Sequence, residues 1–197
     1  LKFNKLLVRA LVTVHDLYRS TIMQFMNPVL NKFPLTRWPL IMAGGSLLLL
    51  LGAWAFQYIW HYDPCALCYD QRHIHMAVIA LGLATGLALI LKPSLARFAP
   101  WPVFAIALVL LYSAGFSAWH AGIEYGWWEG PATCTSTGLT EVNIADVLAT
   151  INGERPSVMC DEAAWTLLGI SMAGYNALIS AGMAVVSGMA GYKGLKG

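Results

Sequence analysis

The sequence predicts an all-α membrane protein built as a four-transmembrane-helix bundle, and three observations carry that prediction. Of 197 residues, 58% are hydrophobic and only 11% charged, where soluble domains are about half apolar and about a quarter charged. Four segments, 40–60, 73–91, 102–120 and 165 to about 188, are apolar over the roughly 20 residues of helix that a hydrocarbon core requires. Lysine and arginine gather in alternate connections, as the positive-inside rule demands of a multi-pass chain. A formal net charge of +2 gives no reason to expect a nucleic-acid partner.

The chain divides into an N-terminal arm (1–38), a membrane domain (39–190) and a short tail (191–197). In the arm, Leu6, Leu7, Ala10, Leu11, Val14 and Leu17 share one helical face. Lys5, Arg9, Thr13 and Asp16 share another, the pattern of an amphipathic helix lying in the interface. No short apolar core with a small-residue cleavage site marks a signal peptide here.

The spans carry small residues, as in Ala43-Gly44-Gly45-Ser46, Gly82 with Gly86, and Gly169 through Gly182. Such residues let helices approach closely where lipid removes the hydrophobic drive between them. Of the twelve lysines and arginines, ten lie in the termini and the middle loop, against one acid, Asp16. The loops 61–72 and 121–164 hold only Arg72 and Arg155 with nine acids. Both termini are therefore expected on the cytoplasmic side and both acidic loops opposite, with lipid as an obligatory partner. Trp119, Tyr125, Trp127 and Trp128 read as an interfacial aromatic belt.

All four cysteines belong to the non-cytoplasmic loops or their helix ends. An even number in an oxidising compartment points to disulfides. Four cysteines allow three connectivities, of which Cys65 with Cys68 and Cys134 with Cys160 is one. A bridge across three residues gives little chain-entropy benefit, so reactivity explains Cys65-Ala-Leu-Cys68 better than bracing does. The second span opens just after Cys68, and Arg72 follows four residues later. A helix N-terminus and a cation both lower a thiol's pKa, so Cys68 is expected to be the thiolate. No metal site is expected, because structural zinc usually brings a second close-spaced ligand pair, and the chain has no CxxCH for haem. In the second loop, Ile144, Val147, Leu148 and Ile151 recur at helical spacing behind Asn143. They predict a short interfacial helix that leaves Cys134 accessible.

Phe56-Gln57, Pro64-Cys-Ala-Leu-Cys68 with Arg72, Leu111-Tyr-Ser-Ala114 and the run from Cys160-Asp-Glu-Ala-Ala-Trp165 to Met172 together resemble the DsbB thiol:quinone oxidoreductases over most of residues 40–190. The resemblance implies a multi-pass protein of the bacterial inner membrane with its cysteine loops in the periplasm. It implies four catalytic cysteines, Cys65, Cys68, Cys134 and Cys160, and a quinone, ubiquinone or menaquinone, held near Cys68 by Arg72 and lined by Gln57. The implied partners are a DsbA-like periplasmic thiol oxidase and, through the quinone pool, the respiratory chain. By that likeness Cys134 is attacked by the partner, Cys160 is released, and electrons pass to Cys65 and Cys68. Two other classes stay open at this point. One is a non-enzymatic assembly factor braced by disulfides. The other is a vitamin K epoxide reductase-like enzyme, although there the CxxC lies toward the chain's end, whereas here it opens the second span.

Overall fold

The computed structural model describes residues 28, 30, 32–131, 134 and 158–196. The residues before Leu35 form a unit of their own. The expected amphipathic arm and the expected loop helix at 143–151 lie outside the described residues.

From Leu35 onward the chain forms four helices long and apolar enough to cross a membrane: α1 (Trp38–Tyr58), α2 (Ala66–Leu91), α3 (Pro100–Glu124) and α4 (Met172–Lys196). Pro39 sits in the first turn of α1, where its missing N–H has no helical partner to lose. Leu48, Leu51, Leu87, Leu108 and Leu178 point outward and are exposed. Side chains so placed suit lipid, while the helix backbones satisfy their own polar groups.

The bundle pairs α1 with α2 and α3 with α4, and α2 joins the two pairs through α3. Gly82 makes the first pairing possible, since a Cβ there would lie 2.5 Å from the Pro39 carbonyl oxygen and 2.9 Å from Ala43 Cβ. Small residues replace apolar drive with close contact in this setting. Across α3 and α4, Ser113 and Ser180 share a hydrogen bond of 3.2 Å, and Ser187 Oγ donates to the Val103 carbonyl at 3.1 Å.

Two helix starts differ from the sequence reading by seven residues each. The second helix starts at Ala66 rather than His73, because Cys65 caps it: the Cys65 Sγ accepts the backbone N–H of Cys68 at 3.3 Å. The fourth helix starts at Met172 rather than Trp165. A two-stranded hairpin, β1 (Thr166–Leu167) and β2 (Ile170–Ser171), comes first, turning through Leu168 and Gly169 at φ 51° and 77°. Positive φ at both central residues is the signature of a tight hairpin turn. Ser171 Oγ then accepts the Gly174 N–H at 3.1 Å, an N-cap that starts α4. Tyr125, just past α3, ties the hairpin down: its hydroxyl donates to the Gly169 carbonyl at 2.9 Å and accepts the Ser171 N–H at 2.7 Å.

Candidate functional site

The cysteine-bearing connections meet at one end of the bundle. Cys134 and Cys160 form a disulfide with a Cα separation of 5.3 Å, and the Cys160 N–H donates to the Cys134 carbonyl at 2.5 Å. Both cysteines are buried, packed with Cys65, Leu67 and Ile123, and Cys68, Phe116 and Val158 lean on the same cluster. The expectation of an accessible Cys134 is therefore corrected. The apolar disulfide settles onto the ends of α2 and α3 instead of standing in solvent.

Cys65 and Cys68 are free thiols with their sulfurs 3.0 Å apart. The two sulfurs do not share one environment. Cys65, the N-cap of α2, receives the Cys68 backbone N–H and has His120 Nε2 3.6 Å away. The Cys68 thiol beside it, then His120, hold the Cys65 thiol down to about 5 from 9.0, against the upward push of burial. The expectation that Cys68 would be the thiolate under the helix dipole is corrected for this state. The helix begins early enough that the free N–H of Cys68 in its first turn points at Cys65 Sγ, leaving Cys68 inside that turn.

Arg72 reaches across to α1. Its guanidinium donates to Gln57 Oε1 at 2.5 Å and to the Ala53 carbonyl at 3.3 Å, and lies over the Tyr69 ring with 5.3 Å to the centroid. Arg72 and Cys68 both line a cavity of about 390 Å³ between α1, α2, α4 and the hairpin. Gln57, expected in its wall, does not line it. It stands behind Arg72 and orients it, while Ala53 and Phe56 supply the wall on α1. The volume falls within the range of small-molecule sites, about 300–1,000 Å³.

Several site residues escaped the sequence reading. Gln71 Nε2 meets His120 Nδ1 at 2.6 Å, and His120 Nε2 lies 3.9 Å from Glu124 Oε1. Asn176 donates to Gln71 Oε1 and to Ser117 Oγ, each at 2.8 Å. The available signal was the placement of His120 and Glu124 one turn apart at the end of an otherwise apolar span, where intramembrane polar groups cluster on functional faces. Cys65, Cys68 and His120 also bring ligand atoms within 4.8 Å of one another, a grouping that linear spacing does not reveal.

A four-helix membrane bundle with a disulfide, two adjacent thiols and an apolar cavity gathered at one end belongs to the class of membrane dithiol–disulfide proteins. The family model described as Disulfide bond formation protein DsbB matches residues 35–190, and the chain belongs to that family. It is 30% identical over 161 residues to Disulfide bond formation protein B of Dechloromonas aromatica (strain RCB), covering 79% of this chain and 91% of the relative. It is 28% identical over 149 residues to an uncharacterized protein of Rickettsia prowazekii (strain Madrid E), covering 73% and 80%. No solved structure matches. Family membership assigns a role in disulfide bond formation and an oxidoreductase character.

Proposed function

We propose that this protein is a thiol:quinone oxidoreductase that reoxidises a DsbA-like periplasmic dithiol and delivers the electrons to a membrane quinone. The observation that carries the reading is the single cluster joining Cys134, Cys160 and Cys65, with Cys68 packed on it and facing the cavity. Disulfide exchange requires an attacking thiolate to reach a sulfur, and this packing puts the two cysteine pairs side by side.

The partner's thiolate attacks Cys134 and Cys160 leaves as a thiolate. The partner's second thiolate resolves the mixed disulfide, releasing the oxidised partner and a Cys134 thiol. Cys160 attacks the oxidised Cys65–Cys68 disulfide, and Cys134 then displaces that bond from Cys160, regenerating the Cys134–Cys160 disulfide and leaving Cys65 and Cys68 reduced. A quinone supplies the two-electron acceptor that peptide groups lack. The residues present fit one: the cavity offers an apolar enclosure with Arg72 and Cys68 in its wall, and Gln57 holds the guanidinium in place. By the charge distribution, this end of the bundle faces the periplasm and both termini face the cytoplasm.

The test is to mix the purified full chain in lipid with a reduced DsbA-like protein and follow quinone absorbance. Stoichiometric quinone reduction that needs all four cysteines is expected. Oxidation of the partner without quinone loss would overturn the quinone step. Unreactive cysteines would return the chain to a structural role.

A further inference from the structure

His75 lies on α2 with Cys68 and Arg72 at i, i+4 and i+7, one face of the helix, spanning about 10 Å at 1.5 Å per residue. All three line the cavity. The His75 side chain is 3% exposed, and its Nδ1 has no hydrogen-bond partner among the described residues. A buried nitrogen left without a partner is costly, and the residue that carries it stands in the cavity wall, where an occupant can supply the missing partner.

The surrounding hydrogen bonds determine what that nitrogen offers. Asn176 Nδ2 spends its two hydrogens on Gln71 Oε1 and Ser117 Oγ. Its Oδ1 therefore accepts, from Ser180 Oγ at 3.2 Å and from His75 Nε2 at 2.8 Å. With the proton of neutral imidazole committed to Nε2, Nδ1 carries a bare lone pair. A quinone carbonyl has no hydrogen to give to it, whereas a quinol hydroxyl does.

We propose that His75 is a quinol ligand: its Nδ1 accepts the O–H of a bound quinol, so the cavity holds the reduced form in preference to the oxidised one. This rests on the quinone reading given above. In the overall step the Cys65 thiolate and the Cys68 thiol give up two electrons and the one S–H proton as an S–S bond forms, and the second proton comes from water, which took it when Cys65 ionised. Two electrons pass to the quinone, and two protons complete its hydroxyls. His75 favours the product side of that exchange by receiving one of those hydroxyls, and Asn176 sets the tautomer that makes this possible.

The test measures binding of a short-chain benzoquinone and, separately, of its quinol to the full chain in lipid nanodiscs, together with the midpoint potential of the bound couple. His75→Gln keeps a donor near Nε2 for Asn176 but removes the acceptor at Nδ1, and His75→Phe removes both. His75→Asn places an amide near the Nδ1 position and can restore an acceptor there. In the Gln and Phe variants quinol affinity should fall about tenfold with quinone affinity changed less than about threefold. A tenfold selective loss lowers the bound midpoint potential by about 30 mV. The Asn variant should recover most of the quinol preference. Retained quinone binding reports that each variant is folded. Equal losses of both forms, or no change in either because a buried water occupies Nδ1, would overturn the proposal. Wild-type protein that binds neither form would instead remove the quinone reading itself.

Discussion

His120 Nε2 stands 3.6 Å from Cys65 Sγ, although the two residues are 55 positions apart in the chain. The imidazole joins the Cys68 thiol and backbone N–H in stabilising negative charge on one sulfur of the CxxC pair. Stabilising a thiolate favours the reduced pair and makes the corresponding disulfide a stronger oxidant. The pair is thereby suited to draw electrons from the neighbouring Cys134–Cys160 disulfide once the latter is reduced.

The pH dependence of Cys65 follows from its lowered pKa of about 5. Alkylation of the reduced protein at Cys65 should be fully developed at pH 7 and fall away as pH drops through about 5. Because the folded value lies below the unfolded one, the thiolate's contribution to stability is complete above the unfolded value of 9.0 and is lost progressively as pH falls from there through about 5. Cys68→Ala should move the inflection upward most, and His120→Phe less. Mass-resolved alkylation rates between pH 4 and about 9 check this, and an inflection unchanged in both variants would count against it.

Partner capture should separate the two loop cysteines. With Cys160→Ser the mixed disulfide at Cys134 has no resolving thiol and accumulates. With Cys134→Ser no stable adduct with the partner should form. Non-reducing gels with peptide mapping decide this, and an adduct at Cys160 would exchange the two roles.

Arg72 should act through its planar charge. Arg72→Met leaves Gln57 Oε1 and the Ala53 carbonyl without their donor and should raise the quinone KM about tenfold or more, the value of a charge-assisted hydrogen bond. Arg72→Lys should keep part of the affinity, lacking the two-pronged reach. Gln57→Leu should resemble a mild Arg72 defect. Equal quinone kinetics in all of these would leave Arg72 as an interfacial anchor.

Close packing of α1 on α2 gives a stability prediction. Gly82→Leu drives a side chain into the Pro39 carbonyl and Ala43 and should cost about 1–3 kcal/mol. Gly44→Leu, where a Cβ meets nothing within 4 Å, should be close to neutral. Thermal unfolding in one detergent compares them directly.

Tyr125→Phe removes both hydrogen bonds to the hairpin, each worth about 1 kcal/mol. Faster hydrogen exchange at the Ser171 amide is expected, with the α2 amides unchanged. Uniformly faster exchange would mean that Tyr125 supports the whole bundle.

Composition, apolar length and charge alternation are local quantities, and they determined the membrane class and the four spans, with the first and third starts within a few residues and the second and fourth displaced by about two turns. The fourth start moved because Leu168 and Gly169 form a turn that an apolar tally counts as helix. The Cys65-Ala-Leu-Cys68 motif and Arg72 were legible because their chemistry depends on residues adjacent in sequence. Tertiary structure decided which sulfur caps α2, what Arg72 grips, and which polar residues surround the thiols. Gln71 meets His120 across 49 residues and Asn176 across 105, so their juxtaposition exists only once the helices pack. In an apolar bundle each such polar group must find a partner among its neighbours, and no local pattern says which neighbour that is.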